Sequence, residues 1–377
     1  MKKTLHLKKT LRVALVALLL SVVGVGYTQV VNYDFEETCP SGQTLYYKIK
    51  DDGSLSVIPP RKKVNWTWRR FWEGFSEPTG DVIVPEQVRG YSVSEIGWGI
   101  TESWNVIGAF MGCEITSIVI PNTVTSIATN AFENCDILTS VVIGNSVTEM
   151  GEHAFGYCDN LTSIVIPNSV TEIRENTFEG CVNLSSVVIP SSIEVIGGGA
   201  FADCDNLSVY YLGDIAQWCG ISFLNSFVDE YNLYINNALV SELAIPDSVI
   251  IINPFSFANC NGLNSVTIGN SVTEIGEHAF YNCVNLASVV ISNPVTTISE
   301  GAFKSCRNLT SVVIPNSVTA IGKGAFQGCG SLTSILLPNS IETINESVFA
   351  SCYNLLSITI PNSVQAVGKH AFSGAIV

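Results

Sequence analysis

Nine cysteines of this chain fall on a fixed beat. Cys135, Cys158, Cys181 and Cys204 stand 23 residues apart, as do Cys260, Cys283, Cys306, Cys329 and Cys352. A phenylalanine sits three residues before each, from Phe132 to Phe349. Cys113 is out of step by one residue, because GCEITS lacks a position that NCDILTS has. The words between the cysteines repeat too: LTSIVIPNSVTEIRENTFEGC, from Leu161 to Cys181, returns at Leu309 as LTSVVIPNSVTAIGKGAFQGC. A fixed period in the twenties restricts the fold severely. It implies stacked supersecondary units, none of which can bury its apolar side alone.

Each unit can be read physically. Leu161, Ile164 and Ile166 place apolar side chains inward along a short strand. Pro167 and Asn168 end it, because proline cannot donate to a ladder and asparagine accepts turn geometry. The VTEI that follows reads as a second short extended piece on the opposite side of the coil. Phe178 and Cys181, three apart, suit one turn of 3₁₀- or α-helix. After a strand and two turns, roughly nine residues remain, too few for a helix of mean length. The expected fold is a β-rich right-handed solenoid of roughly eleven coils with short helical turns, about 50 Å along its axis.

The string L-x-S-[IV]-x-I-P-N-S-V-T-x-I-x-x-x-A-F-x-x-C resembles the BspA-like leucine-rich repeat of treponemal and Bacteroides-type surface proteins. The resemblance runs from Val82 to the C-terminus. The general leucine-rich pattern fits less well, with Val170 one residue off the expected position. YDFEETCPSGQTLYYKI and EPTGDVIVPEQV are similar to lead-in segments of the same family, and the stretch from Tyr210 resembles its irregular longer unit. The organisation expected is a signal peptide at 1–26, a lead-in or cap at 27–81, and a solenoid at 82–377 with the irregular unit at about 208–245. There, 56 residues from Cys204 to Cys260 replace the 46 of two ordinary coils. The extra length is expected as a loose bulge at Asp214–Asp229. Within it DIAQWCGISF reads as briefly helical, with Asp214 as its cap and Ile215, Trp218 and Cys219 turned inward. The alternation of Tyr46–Lys50 and Ser54–Ile58 around KDDG reads as a hairpin entering the first coil.

Export is read from the N-terminus. Lys2, Lys3, Lys8, Lys9 and Arg12 precede the apolar run Val13–Val25. Its 13 residues suit a signal peptide and are short for a span of about 20, the alternative being a retained anchor. Cys39 lies too far on for a lipid anchor. The expected location is extracellular or at the cell surface, with the periplasm as alternative. Beyond residue 26 the balance is 13 basic against 33 acidic residues, and residues 91–377 carry 24 of the acidic and five of the basic ones. Such an array repels phosphate backbones, which excludes nucleic acid as a partner.

Twelve cysteines in an exported chain raise the question of disulfides. Ten share one repeat position and are read as stacked buried thiols, since free cysteine is among the most buried residue types. Cys39 and Cys219 stand outside that ladder. No catalytic constellation emerges. His153, His278 and His370 share one slot in GEHAF and GKHAF, and read as solvated turn histidines. The glycines of Ile196–Phe201 lack the Lys-Ser/Thr and context of a phosphate loop. No G-x-S-x-G, H-E-x-x-H, EF-hand or calcium-repeat pattern occurs. The chain reads as non-enzymatic, with no cofactor and no metal.

Two surfaces stand out. The outward face of the first strand repeats Ser and Val at Ser140, Val142, Ser163, Val165, Ser186, Val188, Ser288, Val290, Ser311 and Val313. It forms an uncharged stripe, read either as an interaction face or as β-propensity alone. The second is the basic aromatic segment with Trp66, Trp68, Arg69, Arg70 and Trp72, read as an end cap or as a stacking site for glycans. The resemblance implies adhesion to host matrix proteins or other cells. A structural spacer and a glycan-binding protein are the alternatives.

Overall fold

The computed structural model describes residues 33–59, 77–100 and 106–376. The expected signal peptide and Trp66–Trp72 lie outside the described residues. The chain winds as a β-solenoid of about 11 turns. Each ordinary coil contributes a strand of three or four residues, such as Ser163–Val165, to a first sheet, and a two-residue strand, such as Glu172–Ile173, to a second. Both pair in parallel and in register with the next coil: Ser163 faces Ser186, and Glu172 faces Val195. The VTEI segment is therefore the second sheet.

A third column of axial hydrogen bonds runs through the turns. The backbone N–H groups of Asn130, Phe132 and Asn134 donate to Glu152, Ala154 and Gly156 of the next coil at 3.0, 2.8 and 2.9 Å. Every second N–H of the turn must point along the axis, so two residues per turn take positive φ. His153 and Tyr157 (50° and 57°), Asn176 and Gly180 (55° and 72°), and His278 and Asn282 (52° and 54°) occupy those two slots. This explains why Asn, Gly and His alternate there, since asparagine and glycine tolerate left-handed backbone best. The turn closes through i→i+3 bonds, Cys181 N–H to the Phe178 carbonyl and Leu184 N–H to that of Cys181.

Inside, like stacks on like. In one coil Leu161, Ile164, Ile166, Val170, Ile173, Phe178 and Cys181 are all buried. Phe110, Phe132, Phe155, Phe178 and Phe201 form a column of rings 4.9–5.4 Å apart and within 7° of parallel. A second column runs from Phe257 to Phe372. All twelve cysteines are buried and unbridged. Eight of the ten ladder thiols are also hydrogen-bonded, each donating to the carbonyl of the preceding coil's phenylalanine. Cys158 reaches Phe132 O at 3.2 Å, Cys181 reaches Phe155 O at 3.1 Å, and Cys283 reaches Phe257 O at 3.0 Å. At Phe132 and Phe257 that carbonyl also accepts from its own coil's cysteine N–H, so both of its lone pairs are used.

The first coil is covered by the lead-in. Phe35–Thr38, Thr44–Ile49 and Leu55–Val57 form an antiparallel meander. Its last strand then joins Tyr91–Ile96 of the second sheet in parallel. Leu45, Tyr46, Tyr47 and Leu55 are buried against that end of the stack. The irregular unit is built into the stack and does not bulge from it. Leu207–Tyr211 and Tyr231–Ile235 continue the first sheet, and Ser222–Phe223 continues the second. Its helix α1 (Ile215–Gly220) starts at a capping box in which Gln217 N–H donates to Asp214 Oδ1 at 2.8 Å and Asp214 N–H to Gln217 Oε1 at 3.0 Å. Trp218 and Cys219 are buried as expected, while Ile215 is partly buried. The indole of Trp218 donates to Ser256 O at 2.8 Å and packs among Tyr211, Phe223, Phe227 and Tyr231. This aromatic cluster takes over from the phenylalanine column, which breaks where Phe201 meets Phe227 edge-on at 82°.

Burial pushes the Cys260 thiol up to about 11 and that of Cys219 to about 12 from an ordinary 9.0, and those of Cys283, Cys306 and Cys329 well above it. The unfolded chain therefore loses its thiol protons first as pH rises, so stability is intact below about pH 8 and falls beyond 9. Each such thiol should subtract about 1.4 kcal/mol by one pH unit above 9. Denaturant midpoints followed by circular dichroism between pH 7 and 10.5 should fall steeply above pH 9. A flat profile would show that the thiols ionise in place.

Candidate interaction face

On the outward side of the first sheet a serine–valine pattern recurs coil after coil. Within Ser163–Val165 the central Ile164 points into the core, and alternation turns Ser163 and Val165 out together. In-register pairing then stacks Ser140 on Ser117 and Val142 on Val119, and further along Ser311 on Ser288 and Val313 on Val290. Val142, Val165, Val290 and Val313 are 54, 61, 56 and 70% exposed, a degree of exposure rarely given to so many aliphatic side chains in one row. The neighbouring threonine and serine hydroxyls are held, Thr139 donating to Thr116 O at 3.0 Å and Ser185 to Thr162 O at 3.2 Å. The surface is thus ordered as well as apolar.

Ser186 and Val188 differ from the rest and are only half-buried. Val188 faces Tyr210 in the register, Tyr210 faces Tyr234, and the two tyrosine rings stack at 4.7 Å and 21°. Leu239 stands opposite Tyr234 on the antiparallel strand Ala238–Leu239 and is exposed. Sequence reading missed this aromatic step. Ser208 pairs with Ser186 at a spacing of 22, one short of the period, so SVYY is displaced by one residue against SSVV. Tyrosine presents a large amphipathic surface with little rotamer freedom, and is enriched where protein partners dock.

The stripe has defined ends. At one end Asp81 Oδ1 accepts from Ser117 Oγ at 2.6 Å and Thr116 Oγ1 at 2.9 Å, bonds that hold its carboxyl below the usual range. Beyond Leu239, Glu242 pairs with Ser265 and opens a further sheet on the same face, which runs to Ser357–Thr359. The face is therefore two uncharged stretches divided at Glu242, where the sequence suggested a single column.

The histidines belong to the turns. His153 Nε2 lies 2.9 Å from Glu179 Oε2 of the next coil, and His278 stacks on Phe255 at 5.3 Å and 3°. Both lie in a turn, as expected, but are half-buried at their positive-φ slot; His370 in the same slot is exposed. Among the described residues no group of three or more His, Cys, Asp or Glu side chains is arranged to hold a metal ion. Ile196–Phe201 is an ordinary turn, with Gly199 in the positive-φ slot at 62° and Gly197 pressed against the backbone of Glu175.

The family profile described as BspA type Leucine rich repeat region matches residues 107–227, 230–355 and 275–376. A leucine-rich repeat protein of Eubacterium ventriosum superposes with a TM-score of 0.55 at 21% identity, covering 91% of this chain and 96% of its own. The pneumococcal vaccine antigen PcpA superposes at 0.53 with 15% identity, covering 92% and 89%. A leucine-rich repeat protein of Bacteroides ovatus shares 28% identity over 91% and 93%, with a TM-score of 0.49. No curated protein matches the chain in sequence. A direct check on the geometry separates outward from axial positions. Val165→Lys or Val313→Lys should each change stability by less than about 0.5 kcal/mol. Gly197→Ala, whose Cβ would collide with the Glu175 backbone N, should cost several times that in denaturant melts. Equal losses at both kinds of position would overturn the assignment of faces.

Proposed function

This chain belongs to the BspA-type leucine-rich-repeat family, and we propose that it is an exported, non-enzymatic binding protein that adheres to host matrix or other cells through the first-sheet face. The observation that carries this reading is a contrast within the molecule. The second sheet has the same coil spacing and pairing, yet its outward column includes Glu149, Glu172 and Glu274. In the first sheet the outward positions carry no charge from Ser117 to Asn232, nor from Ser265 to Thr359. β-Propensity acts on both sheets alike, so it does not account for charge being kept off one of them. Exclusion of charge from the centre of a surface is the compositional mark of a docking face.

Repetition suits a partner that is itself extended or repetitive. Several weak, identical contacts in a row gain avidity that one contact cannot supply. Tyr210 and Tyr234 provide a firmer anchor among them, and the acidic remainder of the array keeps anionic macromolecules away. Localisation at the cell surface rests on the N-terminal basic and apolar segments.

The test is surface binding of the mature chain to immobilised matrix proteins, compared with Val142→Glu/Val165→Glu and with Tyr210→Ala/Tyr234→Ala. Both double variants should melt near the parent temperature and lose at least tenfold in affinity. Val188 is left unchanged because it is half-buried against Tyr210. Unchanged affinity in both would reduce the face to scaffolding, and absence of any matrix ligand would leave the array as a structural spacer.

A further inference from the structure

Where the lead-in meets the first coil, the wall of the solenoid opens into a cavity of about 520 Å³. Ordinary ligand sites span roughly 300–1,000 Å³. The hairpin of the lead-in and the chain from Tyr91 to Trp98 build it, with Ser56 and Ile58 contributed by the hairpin's second strand and the residue after it. Thr44–Ile49 and the turn after it supply Lys48, Lys50, Asp51 and Asp52; Tyr91–Ile96 supplies Glu95; and the strand Trp98–Ile100 supplies Trp98. Trp98 is 44% exposed, whereas Trp218, the other tryptophan among the described residues, is fully buried.

The polar wall is arranged in advance. Lys50 Nζ lies 3.0 Å from Glu95 Oε2 and donates to Ser94 Oγ at 3.4 Å. Ser94 Oγ is 2.7 Å from Ser54 Oγ, and Ser54 donates through its N–H and its hydroxyl to Asp52 Oδ1 at 2.8 and 2.6 Å. Those two bonds hold the Asp52 carboxyl below its usual range. Side chains that fix one another in this way lose little freedom when a ligand arrives, so more of each contact appears as affinity. Ser56 lines the cavity nearly fully buried, and a Cβ on Gly97 would collide with its hydroxyl, so the floor requires glycine there.

The geometry points to a saccharide site: we infer that this cavity binds a neutral oligosaccharide, one sugar face stacked on Trp98 and its hydroxyls shared between Lys48, Lys50, Asp51, Asp52 and Glu95. The chemistry narrows the ligand. A flat, partly apolar body is needed for the indole. Groups that both donate and accept are needed, because ammonium and carboxylate alternate around the rim, and hydroxyls do both. Three carboxylates against two ammoniums, set beside an acidic array, disfavour phosphate, sulfate and uronate. The residues that line the site are distinct from those of the first-sheet face.

The experiment is a glycan array of neutral and anionic oligosaccharides, followed by saturation-transfer NMR on the mature chain with the best neutral member. Binding should be at least tenfold weaker in Trp98→Ala and in Glu95→Gln, largely kept in Trp98→Phe, and unchanged in Val165→Glu. Thermal melts of each variant separate loss of the site from loss of the fold, and Trp98→Phe keeps the test decisive if Trp98→Ala melts early. Failure of every neutral glycan to bind, preference for anionic ones, or retention of affinity in a folded Trp98→Ala would each overturn the proposal.

Discussion

The structure depends on axial registry, the requirement that every coil sit at the same height and phase over the one before it. Three columns of backbone hydrogen bonds impose it, two as parallel sheets and one through the turns. Side chains then lock it. Asn160 Nδ2 donates to Asp136 O at 2.9 Å, Thr148 Oγ1 to Thr125 O at 3.2 Å, Ser317 Oγ to Val295 O at 2.7 Å and the Cys181 thiol to Phe155 O at 3.1 Å. Each reaches a carbonyl of the preceding coil. Each such contact needs the same polar residue at the same place in successive coils, which is why the polar letters of the motif recur with the apolar ones.

Departures from the beat show what the lock tolerates. At the irregular unit the ladder of phenylalanines ends, yet sheet pairing persists on either side of it through Leu207–Tyr211 and Ser222–Phe223. Trp218, fully buried with its one donor satisfied, supplies the volume that the missing phenylalanine–cysteine turn would have filled. The unit also brings Tyr210 and Tyr234 to the outer face and ends the first uncharged stretch. One insertion therefore repairs the core and punctuates the surface.

Much of this was legible in the sequence because it is periodic or local. The 23-residue period, the inward Leu161, Ile164 and Ile166, the hairpin around Lys50–Gly53 and the cap of α1 by Asp214 all follow from spacing and residue type. Features that need two coils at once were not. The shared slot of His153, Asn176, Gly199 and His278 is plain in the alignment of repeats, but its cause, positive φ forced by axial N–H groups, exists only once the turns stack. Tyr210 was hidden by a one-residue deletion, and the cavity beside Trp98 by the 40-odd residues between its walls.

The choice of cysteine at the repeat's end follows from the same geometry. The carbonyl of each phenylalanine faces the next coil inside the core, and a second donor there adds a bond without exposing anything to water. Alanine would leave that lone pair idle and a small void beside the ring. Serine would place a strongly hydrated hydroxyl in an apolar column, with a shorter reach to the same oxygen. A thiol is large enough to fill the site, donates weakly, and has little affinity for water to forfeit. Bridging two neighbours would turn both sulfurs away from their carbonyls, giving up two hydrogen bonds in a column whose side chains all point one way. The column is held as separate thiols, and burial keeps them protonated and therefore poor nucleophiles.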